Sequence, residues 1–303
     1  MTHTKVWYIT GASKGMGLAL AKQLLSRGHQ VAATSRSLTA FAHLSSYGDQ
    51  FLPLEVDLKN EESISASIKQ TVDHFGHLDV VVNNAGYGLG GALEELTSDE
   101  INENFEVNFF AVVRVVQQAL PYLRDQRSGH IINIASIAGF APGLGWSMYC
   151  AAKFAVSGLT EALANDLRPL GIQVTNVLPG WFRTSFAKPD SISYNKNHLA
   201  DYAFLSEYHE KMNIMDGAQP GDPDKIADAF LELVNSDCPA VNLFLGSDSF
   251  LRAKDKIDQL QQEMEKWKRV SVSTDYLIIS SGSQFCLQYK FCLQYKKPQN
   301  SLL

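Results

Sequence analysis

The chain has 303 residues, of which 45% are hydrophobic and 19% charged, and its formal net charge is −6. This composition is typical of a globular protein with a substantial core, and the acidic balance argues against non-specific nucleic-acid binding, which needs a basic face. Four cysteines without a C-x-x-C pair argue against a disulfide framework and a zinc site. The sequence has no signal-peptide core and no run of about 18 apolar residues, so we expect a cytoplasmic protein without a membrane span.

The first 180 residues alternate between short apolar runs and stretches with helical periodicity. Apolar runs that predict buried strands occupy residues 5–10, 30–35, 51–57, 78–86, 129–136 and 172–180. Helical stretches between them include residues 17–28, 61–76 and 98–123. Strands that are apolar on both faces and alternate with helices indicate a parallel sheet covered on both sides. We therefore predict an α/β fold with a doubly wound, Rossmann-like parallel sheet, three layers and a single domain.

Beyond residue 184 the pattern loosens, and aromatic residues mix with polar ones. We interpret residues 185–221 as a mobile cover over a pocket, and an ordinary helical excursion is the alternative. A helix at residues 222–236, a strand at 240–246 and a charged helix ending near Arg269 complete a predicted catalytic domain over residues 1–276. The extension, residues 277–303, contains FCLQYK twice in succession and is expected to be disordered or loosely docked.

A glycine-rich loop, TGASKGMG at residues 10–17, follows the first strand and leads into a helix. Its three glycines, Gly11, Gly15 and Gly17, suit a tight turn, a close approach to a pyrophosphate and close packing of helix on sheet. The helix N-terminus would offer free N–H groups and its positive dipole end to the phosphates. The loop therefore predicts a dinucleotide site, with a plain strand–helix turn as the alternative.

The end of the second strand bears on which dinucleotide binds. An NAD-selective site usually places an acid here for the ribose 2′-hydroxyl, but this sequence has Ser35 and Arg36. Lys14 adds a positive charge in the glycine loop, and the two cations suit a 2′-phosphate. We predict NADP(H) as the cofactor, with two solvated surface cations as the alternative. Asp57 is expected to accept a hydrogen bond from the adenine amino group, and Asn84 to stabilise the loop beside the adenosine.

Four polar residues form a candidate catalytic group. Ser136 closes the fifth strand, Tyr149 and Lys153 lie one helical turn apart, and Asn108 lies inside the preceding long helix. Carbonyl reduction needs a proton at the oxygen, and a free tyrosine has a pKa near 10. One ammonium at ~4 Å contributes about 4 kcal/mol towards phenolate, so we expect Lys153 and an oxidised cofactor to lower the pKa of Tyr149 to about 7. Ser136 is expected to hold the substrate oxygen, and Asn108 to bind a water that relays protons.

These motifs together resemble the short-chain dehydrogenase/reductase family. The resemblance is carried by the glycine loop, NNAG at residues 83–86, Asn108, Ser136, Tyr149-x-x-x-Lys153 and the pair Pro179 and Gly180. It extends over about residues 5–246 and is greatest to an NADP-type branch related to 17-beta-hydroxysteroid dehydrogenases. It implies that the Asn-Ser-Tyr-Lys set is catalytic and that Lys153 bonds the nicotinamide ribose. It also implies that the stretch from Pro179 to Thr184 holds the carboxamide, and that the enzyme is a homodimer or homotetramer.

We therefore predict an NADP(H)-dependent oxidoreductase that interconverts a secondary alcohol and a carbonyl, with Tyr149 as acid/base and with Ser136 and Tyr149 contacting the substrate. The predicted cofactor contacts are Gly11, Ser13, Lys14, Gly15, Met16, Gly17, Arg36, Asp57, Asn84, Tyr149, Lys153, Pro179, Gly180 and Thr184. No metal site is expected. The alternatives are a catalytically silent NADP(H)-binding regulator and an epimerase or dehydratase that uses the same cofactor loop.

Apolar side chains close in sequence to the predicted site suggest a lipophilic substrate. They are Phe140, Leu144, Trp146, Trp181, Phe182 and Phe186. The same residues could equally be core or subunit contacts.

Overall fold

The computed structural model describes residues 4–188, 191–214 and 217–276. Its strands are β1 (Val6–Ile9), β2 (Gln30–Ser35), β3 (Phe51–Glu55), β4 (Val80–Asn83), β5 (Gly88–Gly90), β6 (Gly129–Ile134), β7 (Ile172–Pro179), β8 (Ile192–Tyr194) and β9 (Asn242–Leu245). Seven strands form one parallel sheet in the order β3-β2-β1-β4-β6-β7-β9. Strands β5 and β8 pair in parallel as a separate ribbon.

Helices cover both faces of the sheet. They are α1 (Gly15–Ser26), α2 (Glu61–Phe75), α3 (Ser98–Phe105), α4 (Ala111–Gln126), α5 (Ser147–Leu167), α6 (Ala203–Ile214), α7 (Ile226–Asn235) and α8 (Ser247–Val272). Along β1, Val6 and Tyr8 belong to the core cluster that contains residues of α2, α4 and α5. Trp7 and Ile9 belong to the opposite cluster, with residues of α1 and α7. The prediction of a doubly wound parallel sheet in three layers is confirmed.

The helix ends follow local sequence signals. The Asn60 side chain caps α2 by accepting from the Ser63 N–H at 2.8 Å, and Gly76 ends that helix in the left-handed region at φ 85°. Thr97 forms a capping box with Glu100 at the start of α3. These caps explain why the sequence predicts both helix starts to within a residue or so.

One predicted helix is interrupted in the structure. The stretch predicted as a single helix over residues 98–123 consists of α3, a π-helical turn at Glu106–Phe110, and α4. A π turn inserts one extra residue into the helical path and is frequent at functional sites. Asn108 lies in the middle of this turn.

The sheet order places a crevice between β1 and β4. From β1 the chain builds outwards to β2 and β3 and then crosses to β4 on the other side, so the connections at the carboxyl ends diverge here. Open α/β sheets bind ligands at such a switch point. A ligand site is therefore expected at the loops that follow β1, β4 and β6.

The chain divides into two compact units at residue 256. The first contains both sheets and α1 to α7, and the described part of the second continues α8 from Ile257. The duplicated tail at residues 277–303 lies outside the described residues. Within the described ranges, none of the helices combines the length and apolar character that crossing a bilayer requires.

Candidate active site

A cavity of about 1260 Å³ opens at the carboxyl ends of the central strands. The predicted site residues that line it are Gly11, Ser13, Lys14, Gly15, Met16, Arg36, Asp57, Asn84, Ser136, Tyr149, Lys153, Pro179, Gly180 and Thr184. Two predicted residues, Gly17 and Asn108, are absent from the lining and instead pack against residues that form it. The tertiary structure therefore brings the predicted site residues together around one cavity.

The glycine loop turns tightly between β1 and α1. Gly11 has φ +62°, and a Cβ there would lie 2.8 Å from the Ala85 Cα. A Cβ on Gly17 would lie 2.5 Å from the Asn84 Nδ2 and 2.8 Å from the Gly11 carbonyl oxygen. The close packing that requires Gly17 is thus against the loop itself and the segment after β4, not against the sheet as predicted.

The start of α1 fits the phosphates of a dinucleotide. The helix begins at Gly15, and its N-cap residue, Lys14, makes no side-chain capping hydrogen bond. Helices leave their first N–H groups without intrahelical partners, and an anion can accept from them. The bare glycine backbone and the uncapped helix end leave room for a pyrophosphate at this wall of the cavity.

Asn84 braces the glycine loop from the neighbouring strand. Its Nδ2 donates to the carbonyl oxygens of Thr10 and Gly11, both at 3.0 Å. In return, the Thr10 hydroxyl oxygen accepts from the backbone N–H groups of Asn84 and Ala85, at 3.0 and 3.1 Å. Asn84 therefore connects the segment after β4 to the loop after β1 across the crevice.

Charged side chains of both signs line the cavity near the ends of β2 and β3. Lys14 and Arg36 are both exposed and line the same cavity. Asp57 lines it as well, and its Oδ1 accepts from the Lys59 N–H at 3.0 Å. Sequence reasoning missed Glu55, which lies beside Ser35 in the β2–β3 pair and also lines the cavity. Cationic and anionic side chains therefore both line the part of the cavity where the ribose 2′-hydroxyl of NAD or the 2′-phosphate of NADP would bind.

Three of the four predicted catalytic residues converge at the end of β6. Ser136 follows β6, and Tyr149 and Lys153 lie on α5, with exposed fractions of only 8% and 4%. The Lys153 Nζ lies 5.8 Å from the Tyr149 ring centroid and donates to the carbonyl oxygen of Ile134 at 3.0 Å. The phenol, hydroxyl and ammonium thus share one wall of the cavity.

Burial dominates the acid–base properties of this group. It raises the pKa of Tyr149 to about 12, although a hydrogen bond with Ser136 acts in the opposite direction. Burial also lowers the pKa of Lys153 to about 8. For the protein's own groups, the pKa of Tyr149 therefore moves in the direction opposite to the one expected for Lys153 together with an oxidised cofactor. The physical reason is that desolvation penalises both charged forms, and the ammonium points at a backbone carbonyl.

Asn108, in the π turn, binds the backbone of the segment that follows β4. It is fully buried; its Nδ2 donates to the carbonyl oxygens of Tyr87 and Asn104, at 2.9 and 3.0 Å, and its Oδ1 accepts from the Tyr87 N–H at 3.2 Å. A Cβ on Gly86 would lie 2.6 Å from the Asn108 Oδ1 and 3.3 Å from the Lys153 Nζ. The missing side chain of Gly86 therefore lets Asn108 and Lys153 approach the same point.

The substrate side of the cavity is partly aromatic. Trp146, Trp181, Phe182 and Phe186 line it, as the sequence suggests. Phe140 is absent from the lining and packs against Phe244 with ring centroids 5.1 Å apart. Leu144, also absent from the lining, is 53% exposed.

Sequence reasoning missed several lining residues on the predicted cover. Residues 185–221 contain β8 and α6 among their described parts, and Ile192, Tyr208 and Met212 from these elements line the cavity. The partner of β8 is β5, whose sequence is Gly-Leu-Gly. Three residues with two glycines carry no strand periodicity, so no sequence signal could reveal this ribbon.

The proteins that this chain resembles indicate which class of protein it is. Relatives over most of the chain are oxidoreductases. Oxidoreductase BOA17 from Botryotinia fuckeliana is 33% identical over 273 residues, covering 89% of this chain and 99% of that protein. The 3-ketodihydrosphingosine reductase of Bacteroides thetaiotaomicron is 41% identical over 195 residues, covering 64% of this chain and 70% of that protein. The fold and the site thus define an oxidoreductase that acts on CH–OH groups.

The family follows from the same comparison. The family model described as short chain dehydrogenase matches residues 5–194. A short-chain dehydrogenase from Streptomyces avermitilis has a TM-score of 0.84 at 33% identity and covers 90% of this chain and 100% of its own. The chain belongs to the short-chain dehydrogenase/reductase family.

Solved structures of similar proteins hold either cofactor. A Burkholderia phymatum member in complex with NAD has a TM-score of 0.70 at 26% identity, covering 79% of this chain and 88% of its own. An alcohol dehydrogenase from Thermococcus sibiricus complexed with 5-hydroxy-NADP has a TM-score of 0.65 at 26% identity, covering 81% and 97%. Family membership therefore leaves the choice between NAD and NADP to the residues of this chain.

Proposed function

We propose that the protein is an NADP(H)-dependent oxidoreductase that interconverts a lipophilic secondary alcohol and its carbonyl, with Tyr149 as acid/base. The observation that carries this proposal is the buried Tyr149 beside Ser136 and Lys153 in the wall of one cavity. The other end of that cavity is the glycine loop, so cofactor and substrate would share it.

The cofactor's contribution is the hydride, which the nicotinamide ring donates or accepts when bound. The chain's own residues fit such a group. Gly11 and Gly15 would face the pyrophosphate at the uncapped start of α1, and the segment from Pro179 to Thr184 would hold the nicotinamide end. Asn108 is proposed to bind a relay water next to Lys153, because both side chains approach the backbone of Gly86.

Proton transfer is the task we assign to Tyr149. A phenol with a pKa of about 12 is fully protonated at neutral pH, so it is ready to donate its proton to a carbonyl oxygen. Ser136 would hold that oxygen by a hydrogen bond, and the ammonium of Lys153 would stabilise the phenolate left behind. The phenol therefore carries the proton that carbonyl reduction needs, and the nearby ammonium would offset its high pKa as that proton leaves.

Substitution of Tyr149 tests this role. Tyr149→Phe removes the hydroxyl and keeps the ring, so we expect carbonyl reduction to fall by about a hundredfold or more while the Kd for NADPH changes by less than about twofold. NADPH oxidation against steroids, quinones and small ketones measures turnover, and fluorescence titration measures binding. The matched control is Tyr122→Phe on α4, a tyrosine outside the cavity lining. Substantial turnover by Tyr149→Phe would remove Tyr149 from this role.

A regulator that binds NADPH without chemistry gives a different result in the same assays. Tight NADPH binding by the unmodified protein, with no turnover across the whole carbonyl panel, would favour that alternative over the enzyme.

The preference for NADP(H) rests on Arg36 and Lys14. Both cations line the cavity, Arg36 directly after β2 and Lys14 in the glycine loop, while Glu55 and Asp57 add opposing carboxylates. A charge-assisted contact to a 2′-phosphate is worth about 1.5–3 kcal/mol, so we expect Arg36→Ala to weaken NADPH binding by about tenfold or more and to leave NADH binding nearly unchanged. Lys22→Ala, an exposed cation on α1 that does not line the cavity, is the control. Equal losses for both nucleotides would contradict a 2′-phosphate contact.

The proposed substrate is a lipophilic carbonyl. Support comes from Trp146, Phe186 and Ile192 in the cavity wall, and Phe186 lies 6.3 Å from the Tyr149 ring, centroid to centroid. One relative is named for a ketone, 3-ketodihydrosphingosine. An apolar wall beside the proton donor selects carbonyls with a hydrocarbon substituent, because burying that substituent stabilises the bound state.

Assembly and location complete the proposal. We propose a homodimer or homotetramer, supported by the exposed Phe110 and Phe154, which lie beside α4 and on α5. Sedimentation velocity measures the oligomeric state directly.

Free Cys150 and Cys238 fit the reducing cytoplasm that we propose as the location of the protein.

A further inference from the structure

The first turn of α8 contacts the segment that follows β7. The Asp248 Oδ2 accepts from the backbone N–H of Trp181 at 2.7 Å. The next residue, Ser249, is fully buried, and its hydroxyl donates to the carbonyl oxygen of Leu178 at 2.6 Å. These two bonds lie on either side of Pro179 and Gly180, which line the cavity. The start of α8 therefore holds both ends of the turn that leaves β7.

The Asp248 carboxylate is closely packed between two glycines. A Cβ on Gly180 would collide with both carboxylate oxygens and Cγ of Asp248. A Cβ on Gly246 would lie 2.9 Å from the Oδ1, and Gly246 has φ +102°, which other residues rarely adopt. Since side chains are missing on both sides, the carboxylate can reach the Trp181 N–H from the helix.

An ordinary stabilising role at the helix end does not explain this residue. An acid in the first turn of a helix usually accepts from the helix's own N–H groups. The Oδ2 of Asp248 bonds instead to a backbone group 67 residues away in sequence. Its Oδ1 is buried and has no hydrogen-bond partner among the described residues. A buried acceptor without a protein partner opposes folding, so the value of this carboxylate lies in its other oxygen, which holds the Trp181 N–H.

A further hydrogen bond connects α8 to the loop before α5. Arg252, one turn further along α8, donates to the carbonyl oxygen of Ala141 at 2.6 Å and lines the cavity. Asp248 itself does not line the cavity. It therefore acts on the cavity through Trp181 and does not touch a bound molecule.

We propose that Asp248 is a positioning residue for the reaction: through the Trp181 N–H, it orients the segment from Gly180 to Thr184 against the nicotinamide half of the cofactor. The inference rests on the proposed function, which assigns this segment to the nicotinamide end. Thr184 also approaches the glycine loop, because a Cβ on Gly15 would lie 3.6 Å from the Thr184 Cβ. Loss of the Asp248 contact would thus disturb the nicotinamide end and spare the adenosine end near β2.

The binding test compares the whole cofactor with its adenosine half. We measure the Kd of NADPH and of adenosine 2′,5′-bisphosphate for the unmodified protein, Asp248→Ala and Asp248→Asn. We expect Asp248→Ala to weaken NADPH binding by about tenfold and to leave the fragment's Kd within about twofold. Asp248→Asn retains an oxygen that can accept from Trp181, so it should recover most of the NADPH affinity. Asp255→Ala, an exposed acid on the same helix, is the matched control.

A second readout needs no cofactor. Hydrogen–deuterium exchange of the peptide that contains Trp181 should be about tenfold faster in Asp248→Ala than in the unmodified protein or Asp255→Ala, because the amide loses its acceptor. Exchange in β1 and β4 should not change. Faster exchange throughout the protein would mean that the variant is destabilised globally and would overturn a positioning role.

The two measurements separate this inference from the proposed function. Equal weakening of NADPH and the fragment, or unchanged NADPH binding in Asp248→Ala, would overturn the role of Asp248. If the unmodified protein binds NADH in preference, the cofactor assignment fails, and the same comparison with NADH and adenosine 5′-monophosphate decides the role of Asp248. If it binds no dinucleotide, the proposed function and the positioning role both fail, even where exchange at Trp181 is faster.

Discussion

At the scale of single residues, the buried ammonium of Lys153 determines the pH range of the proposed reaction. Burial lowers its pKa from 10.5 to about 8, so the ammonium is present below that pH and is lost as the pH rises through it. Tyr149, with a pKa of about 12, stays protonated over the same range. We expect kcat/KM for carbonyl reduction to fall about tenfold per pH unit above about pH 8.

The control for this profile keeps the positive charge. Lys153→Arg carries a guanidinium that does not deprotonate in proteins, so any activity it retains should lack the alkaline decline. A pH–rate profile of both proteins, measured with saturating NADPH, makes the comparison. A constant rate in the unmodified protein well above pH 8 would contradict the role of Lys153 as a charged group.

At the scale of elements, Asn108 in the π turn hydrogen-bonds the backbone of Tyr87 in the segment after β4. This contact needs a residue without a side chain at position 86. Gly86→Ala would place a Cβ 2.6 Å from the Asn108 Oδ1, so Asn108 must give up its bonds to the Tyr87 backbone or shift with its turn. We expect a loss of at least about tenfold in kcat and a destabilisation of about 1–3 kcal/mol, since a buried amide loses partners. Steady-state kinetics and urea unfolding measure both effects.

Gly158→Ala is the matched control in α5. Among the described residues, an added Cβ there meets no atom within 4 Å outside the neighbouring backbone of its own helix, and alanine is about 1 kcal/mol more favourable than glycine inside a helix. We expect unchanged kcat and an equal or higher Tm. If Gly86→Ala behaves like Gly158→Ala, the close approach of Asn108 and Lys153 is not needed for turnover.

At the scale of the whole molecule, a buried histidine in the sheet makes stability depend on pH. His130 on β6 is 5% exposed, and its Nε2 lies 2.9 Å from the Thr175 hydroxyl on β7. That hydroxyl donates to the Ala240 carbonyl oxygen at 2.7 Å, so the histidine Nε2 is the donor between them. Burial lowers the pKa of His130 to about 4.

Stability should therefore fall on the acid side of neutrality. The unfolded chain protonates this histidine below its ordinary pKa of 6.5, whereas the folded protein does so only below about 4. Between these values the unfolded state binds more protons, so the free energy of unfolding falls by up to about 3 kcal/mol as pH decreases. Urea unfolding at several pH values measures this slope. His130→Gln should reduce the slope, and His43→Gln, an exposed site, should not change it.

Much of the fold could be predicted because its signals are local. The runs at residues 30–35 and 172–180 coincide with β2 and β7 almost to the residue, since strands buried on both faces are continuously apolar. The β5–β8 ribbon is different: it pairs Gly88–Gly90 with Ile192–Tyr194, far apart in the chain. Each segment has only three residues, too few to establish strand periodicity, so only their packing reveals them, and with them the lining residue Ile192.

The sequence by itself determined the seven strands of the main sheet, the glycine loop, and the Tyr149–Lys153 spacing, because turn chemistry and periodicity act over a few residues. Tertiary structure decided what depends on distant groups. Burial raises the pKa of Tyr149 where the spacing alone suggested a lower value, since desolvation depends on the whole environment. The bond from Trp181 to Asp248 spans 67 residues, and no local pattern encodes a contact that exists only after β7 and α8 have packed together.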